Sequence, residues 1–155
     1  KKTYFIKWSS SYVNSFCYSC GINAFINING ISVSAIVQSV NVSNGISIGG
    51  LGSSSFRNNG IQLAIGGAGT IYNNGIIASY LNTSVMYGKG VQIGGFNDFI
   101  KFKGLQIGIW NDVEEISEEF KGLQIGVSNH TKKLKGLQIG FWNVNEKRSL
   151  PFINW

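Results

Sequence analysis

The sequence predicts an all-β protein, a β-solenoid of about eight short coils of 14–18 residues. Two observations carry that expectation. The first is a repeat: Gly30, Gly45, Gly60, Gly75, Gly90, Gly104, Gly122 and Gly136 follow one another at steps of 15, 15, 15, 15, 14, 18 and 14 residues. A fixed short period marks one structural unit stacked on itself. The second is the period-two alternation inside each unit, which marks strands.

Counting from each glycine, position +1 is aliphatic throughout: Ile31, Ile46, Ile61, Ile76, Val91, Leu105, Leu123, Leu137. Position +3 is aliphatic as well: Val33, Ile48, Leu63, Ala78, Ile93, Ile107, Ile125, Ile139. Position +2 is polar (Ser32, Ser47, Gln62, Gln92, Gln106, Gln124, Gln138) with one exception, Ile77, and position +4 is never larger than Ser. Each unit therefore opens with a strand, and the β-branched residues suit one. Turns flank it. Asn29, Asn44, Asn59 and Asn74 precede the first four glycines, and Asn-Gly tolerates φ > 0 at both residues. Lys89, Lys103, Lys121 and Lys135 precede the last four. A second turn is expected near +7, at Asn82, Asn97, Asn111, Asn129 and Asn143.

Stacked coils bring like positions within about 4.8 Å. Aliphatic columns at +1 and +3 are then expected to fill the interior. Gln62, Gln92, Gln106, Gln124 and Gln138 are expected to form side-chain ladders. An antiparallel meander or barrel satisfies the same alternation, but it does not make residues one repeat apart into neighbours. Residues 30–143 form the array. Residues 1–29 read as an N-terminal cap or irregular coil and residues 144–155 as a C-terminal cap, since open sheet edges need covering. The acidic stretch Glu114–Glu119 reads as a loop or helical turn bulging from a corner.

Composition limits function. Charged residues make up 13% of the chain, and between Trp8 and Gly88 the only one is Arg57. A soluble monomer seldom leaves so much surface without charge, so this half is expected to meet a partner, another copy or lipid. The net charge of +6 suits anionic surfaces. Its lysines sit at turns among acids with no nucleic-acid motif, so nucleic acid is not the expected partner. No run of 18 apolar residues forms a spanning helix, and Lys7 with Ser9, Ser10 and Ser11 interrupts the apolar run a signal peptide needs.

No enzyme is expected, and no cofactor or metal site. The one histidine, His130, reads as a solvated turn residue. Cys17 and Cys20 lack the second ligand pair of a zinc ribbon and read as a local disulfide or two buried thiols. The periodic glycines start strands and do not lead into a helix as a phosphate loop does. Aromatics give the one site-like hint. Phe96, Trp110 and Trp142 share position +6, with Ser128 between the tryptophans, and a column of rings can bind a partner protein or a sugar.

The phrases Gly104-Leu-Gln-Ile-Gly-Ile-Trp-Asn111, Gly122-Leu-Gln-Ile-Gly-Val-Ser-Asn129 and Gly136-Leu-Gln-Ile-Gly-Phe-Trp-Asn143 resemble the units of bacterial short-repeat surface proteins common in Gram-negative envelopes. The resemblance is good from about Gly90 onward. It implies a cell-surface, outer-membrane or extracellular location and a structural or binding role. The phrase Gln-x-Gly-x-x-Asn, as in Gln92-Ile-Gly94 followed by Asn97, is similar to curlin repeats, although curlin's second Gln-containing strand is missing. With the uncharged stretch, the open coil ends, the aromatic column and the basic net charge, the expected partners are a further copy in a fibre, another envelope protein, polysaccharide or a nearby membrane. An outer-membrane β-barrel is the competing class.

Overall fold

The computed structural model describes residues 6–8, 12–13, 16–113 and 119–155. It is a β-solenoid of about eight turns, with no helix among the described residues. The strands are β1 (Ile6–Trp8), β2 (Tyr12–Val13), β3 (Phe16–Ser19), β4 (Ile22–Ile28), β5 (Ile31–Ser34), β6 (Val37–Ser43), β7 (Ile46–Gly49) and β8 (Gly52–Asn58). They continue as β9 (Ile61–Ala64), β10 (Gly67–Asn73), β11 (Ile76–Ser79), β12 (Asn82–Val113), β13 (Glu119–His130), β14 (Lys133–Val144) and β15 (Ser149–Asn154).

Each early coil is a four-residue strand, a corner, a seven-residue strand and a second corner. The short strands β3, β5, β7, β9 and β11 stack in one layer, and the long strands β4, β6, β8 and β10 in the other. Strand β12 joins the layers, pairing β10 through Asn82–Gly88 and β11 through Val91–Ile93. From there the chain passes its corners without breaking the strand. Coil pairs with coil in parallel and in register: Ile31↔Ile46, Ile46↔Ile61, Gly104↔Gly122, Gly122↔Gly136. An antiparallel meander or barrel would reverse those pairings. Only β15 runs antiparallel, on β14. The N-terminal cap falls partly outside the described residues. Within it, β3 stacks on β5 with Phe16 opposite Ile31, the repeat's own offset, although no glycine opens that coil.

Close approach of neighbouring coils explains the glycine period. A Cβ built on Gly45, Gly60, Gly75, Gly90, Gly104, Gly122 or Gly136 would overlap the carbonyl oxygen of the glycine one coil earlier. Gly90, Gly104 and Gly122 also sit at φ of 119°, 141° and 135°, a region L-residues avoid. Thus the column is dictated first by backbone contact and only then by turn geometry.

The interior reverses the expected sidedness. Side chains at +2 point inward and are fully buried: Gln62, Gln92, Gln106, Gln124 and Gln138 are all 0% exposed. The aliphatic residues at +1 and +3 point outward and stay half-buried or exposed. Ile77, the exception at +2, is buried because +2 is the inner column. The apolar core is small: Ala68, Ile77, Val85 and the ring cluster Phe99, Phe102 and Phe120, with Ile28 and Val40 further toward the N-terminus. Phe99 and Phe120 lie 5.4 Å apart, Phe102 and Phe120 6.1 Å.

Burying so much amide is tolerable only if every group is paired. The glutamines do form ladders. Gln106 Nε2 donates to Gln92 Oε1 (3.3 Å), Gln124 to Gln106 (2.7 Å) and Gln138 to Gln124 (2.8 Å). Gln62 stands apart, because Ile77 separates it from Gln92. Its amide instead pairs with Ser55 Oγ and the carbonyls of Ser53 and Gly69. The expected second turn is likewise corrected at Asn97, Asn111, Asn129 and Asn143. These are buried at a bend within continuous strand, not exposed in a turn. Each of the first three donates to the next Asn, at 2.6–2.7 Å, and to a backbone carbonyl at the bend. Asn82 is exposed, and Thr83 takes its place in the column, bonded to Asn97.

Two substitutions separate these requirements. Gly122→Ala is expected to cost roughly 2–4 kcal/mol, because carbonyl and φ both object. Gly69→Ala meets no atom nearer than 3.9 Å and should stay within about 0.5 kcal/mol of the parent in urea unfolding.

Candidate interaction surface

With +1 and +3 turned outward, the short-strand layer presents two aliphatic columns to solvent along its whole length. The corner that follows adds large apolar side chains. Tyr80 is 79% exposed, Phe141 70%, Ile65 68% and Leu51 66%. The segments forming this face and corner are 31–36, 46–51, 61–66, 76–81, 91–96, 105–110, 123–128 and 137–142. None contains Asp, Glu, Lys or Arg. The charge-free surface therefore does not stop with the N-terminal half of the chain: on this side of the solenoid it continues through the C-terminal coils. In the C-terminal coils the charges among the described residues fall on the long-strand side or at the Lys-Gly corner. The signal was present in the sequence, but only registering the repeats reveals it.

The corner before each glycine borders this face. In the early coils it carries an exposed amide ladder, Asn44 Nδ2 to Asn29 Oδ1 and Asn59 Nδ2 to Asn44 Oδ1 at 2.8 Å, then Asn74 to Asn59 at 3.1 Å. From Lys89 onward lysines replace it. Stacked ammonium groups repel, and Glu119 relieves them. Its carboxylate lies 2.7 Å from Lys135 Nζ, 3.0 Å from Lys121 and 3.3 Å from Lys101. Hydrogen bonds from Lys135, then Lys121 and Lys101, lower its pKa from 4.5 to about 2. Residues 114–118 of the expected acidic loop lie outside the described residues. Glu119 belongs not to that loop but to β13, because register places it opposite Lys101 and Lys133.

The aromatic column sits at the other corner. Phe96 and Trp110 stack at 5.2 Å with planes 5° apart. Trp142 does not join them, since Ser128 occupies the rung between, in register with both tryptophans. An open groove of about 380 Å³ lies beside Trp110 and Ser128, lined also by Asn111, Asp112, His130 and Val144 but not by Trp142. His130 is exposed, with Nδ1 3.0 Å from Asp112 Oδ1. A second aromatic row, not foreseen, runs over the long-strand layer. Phe56 packs edge-on against Tyr72 and Tyr72 stacks on Tyr87 at 5.9 Å. Cys17 and Cys20 are free. Adjacent corner and strand positions leave Cys17 half-buried and Cys20 exposed, so neither the disulfide nor the pair of buried thiols is found. Among the described residues no three His, Cys, Asp or Glu side chains group as metal ligands.

Fold and surface together define a β-solenoid repeat protein with a polar interior and one flat apolar side. No family model, curated protein or solved structure matches the chain.

The ladders that hold this face flat can be probed singly. Gln106→Ala leaves Gln92 Oε1 and Gln124 Nε2 buried without their partner and is expected to cost about 3 kcal/mol in urea unfolding. For Glu119 the folded pKa is depressed. Its stabilisation is present above the unfolded carboxyl value near 4.5 and is lost as pH falls through about 2. An NMR titration of its side-chain carbonyl should give a midpoint near 2. The fall in melting temperature across that window should be smaller in Glu119→Gln.

Proposed function

We propose that this chain is a non-enzymatic structural or binding repeat protein of a Gram-negative envelope or cell surface, and that it works through its flat apolar side. One observation carries the reading: the charge-free face persists through coils whose other sides are crowded with charge. Exposed apolar patches of this extent mark interaction sites. The buried carboxamides and Glu119 are engaged in holding the scaffold. Gln and Asn amides bond one another, and Glu119 bonds three lysines. The Gly-Leu-Gln-Ile-Gly-x-x-Asn resemblance supports the envelope setting. It also keeps polysaccharide in view as a secondary contact at the groove beside Trp110 and His130.

Fractionation of the cells that make the protein tests the reading. The chain should be recovered with envelope or surface material. Ile125→Lys, which places a charge on the outward column without entering the interior, should shift most of it to the soluble fraction with its melting temperature nearly unchanged. Recovery of both forms in the cytosol would overturn the proposal.

A further inference from the structure

We propose that the occupant of the apolar side is a second copy of this chain, packed face to face about a two-fold axis. This rests on the docking role assigned above and names its partner.

Area is the first argument. The face runs from β3 through β5, β7, β9, β11, two passes of β12, β13 and β14 to β15. Ten passes at about 4.8 Å span roughly 45 Å, and strand plus corner is about 20 Å wide. The product, roughly 900 Å², matches the ~800 Å² per partner of a standard stable interface. Shape is the second argument. In-register parallel coils make the outward columns straight ridges, with Ile61 beside Ile76 and Leu123 beside Leu137. A second copy offers ridges of the same pitch, so the two faces interdigitate as a dry sheet pair about 10 Å apart. The isologous arrangement is self-complementary, since the patch is uniformly apolar and brings no like charges together.

Lipid fits less well. Cations line only one long rim, and only in the C-terminal coils; the early coils offer the Asn29–Asn74 ladder there. The columns at +1 and +3 are half-buried or exposed, and in the early coils no basic rim flanks them to meet anionic headgroups. Growth at the C-terminal end is disfavoured by β15, which runs antiparallel over β14 and carries Pro151, a residue with no amide to offer.

Sedimentation velocity on the purified chain tests this. The expected species has twice the 16.9 kDa monomer mass. Ile107→Lys should weaken association at least 100-fold with an unchanged circular-dichroism spectrum and melting curve. Met86→Lys, on the exposed long-strand side, should leave the dimer intact and so controls for added charge. If Ile107→Lys unfolds the chain, Ile61→Lys and Ile125→Lys at other rungs give the same readout. A wild-type monomer at about 100 µM overturns the second copy. If that monomer floats with phosphatidylethanolamine–phosphatidylglycerol vesicles, or if Ile125→Lys still releases it from the envelope, the docking face stands with a different occupant. If neither happens, the docking role falls too.

Discussion

Parallel, in-register stacking sets every other feature of this chain. It places each residue about 4.8 Å from its counterpart one coil away, so each column must tolerate its own kind. Glycine meets glycine where coils approach too closely for a Cβ. Aliphatic side chains stack on aliphatic ones. Carboxamides suit the rule best, because one amide both donates and accepts and a column of them satisfies itself. Charges suit it worst. The lysine column before the last glycines exists beside Glu119, which reaches three of the chain's ammonium groups at once.

That constraint explains why the strands and the period were legible and the sidedness was not. Alternation fixes which residues share a side, not which side faces in, and exchanging the two inverts every side chain. Hydrophobicity argued for Ile and Leu inside. The space between a four-residue and a seven-residue strand is instead filled by amides, small side chains and a few rings. A polar interior is affordable here because Gln and Asn find partners above and below. Two features held the answer. Ile77 interrupts a polar column and is buried, which is natural only if that column is inward. Gly108, Gly126 and Gly140 at +4 are small because the Asn ladder amides crowd their Cβ positions. Both signals concern contacts between coils and corners that linear spacing does not encode.

The candidate surface was legible in part for the same reason. Phe96, Trp110 and Trp142 fall on one corner as the period implies, yet Ser128 breaks the column into a stacked pair and a separate ring. The charge-poor half of the chain was legible, but not that one side of the later coils continues it. Charge in the C-terminal half hid it, and only folding sorts Lys101, Asp112 and Lys132 away from Ile107 and Ile125.

The ladders also account for the one antiparallel strand. The two amide columns run with opposite polarity: each Gln donates to the coil before it, each Asn to the coil after it. At the last coil the Gln column therefore ends on an open acceptor, Gln138 Oε1, and the Asn column on Asn143 Nδ2, which donates one N–H to the Gly140 carbonyl at 3.1 Å and has a second to place. Strand β15 supplies both complements. Asn154 Nδ2 donates to Gln138 Oε1 at 3.0 Å, and the Leu150 carbonyl accepts from Asn143 Nδ2 at 3.4 Å. A ninth parallel coil would only have passed the two open ends outward. Reversing the chain lets one short strand deliver a donor and an acceptor at separate points and closes the stack. With that end closed, the association we propose is left to the apolar side, sideways across the face.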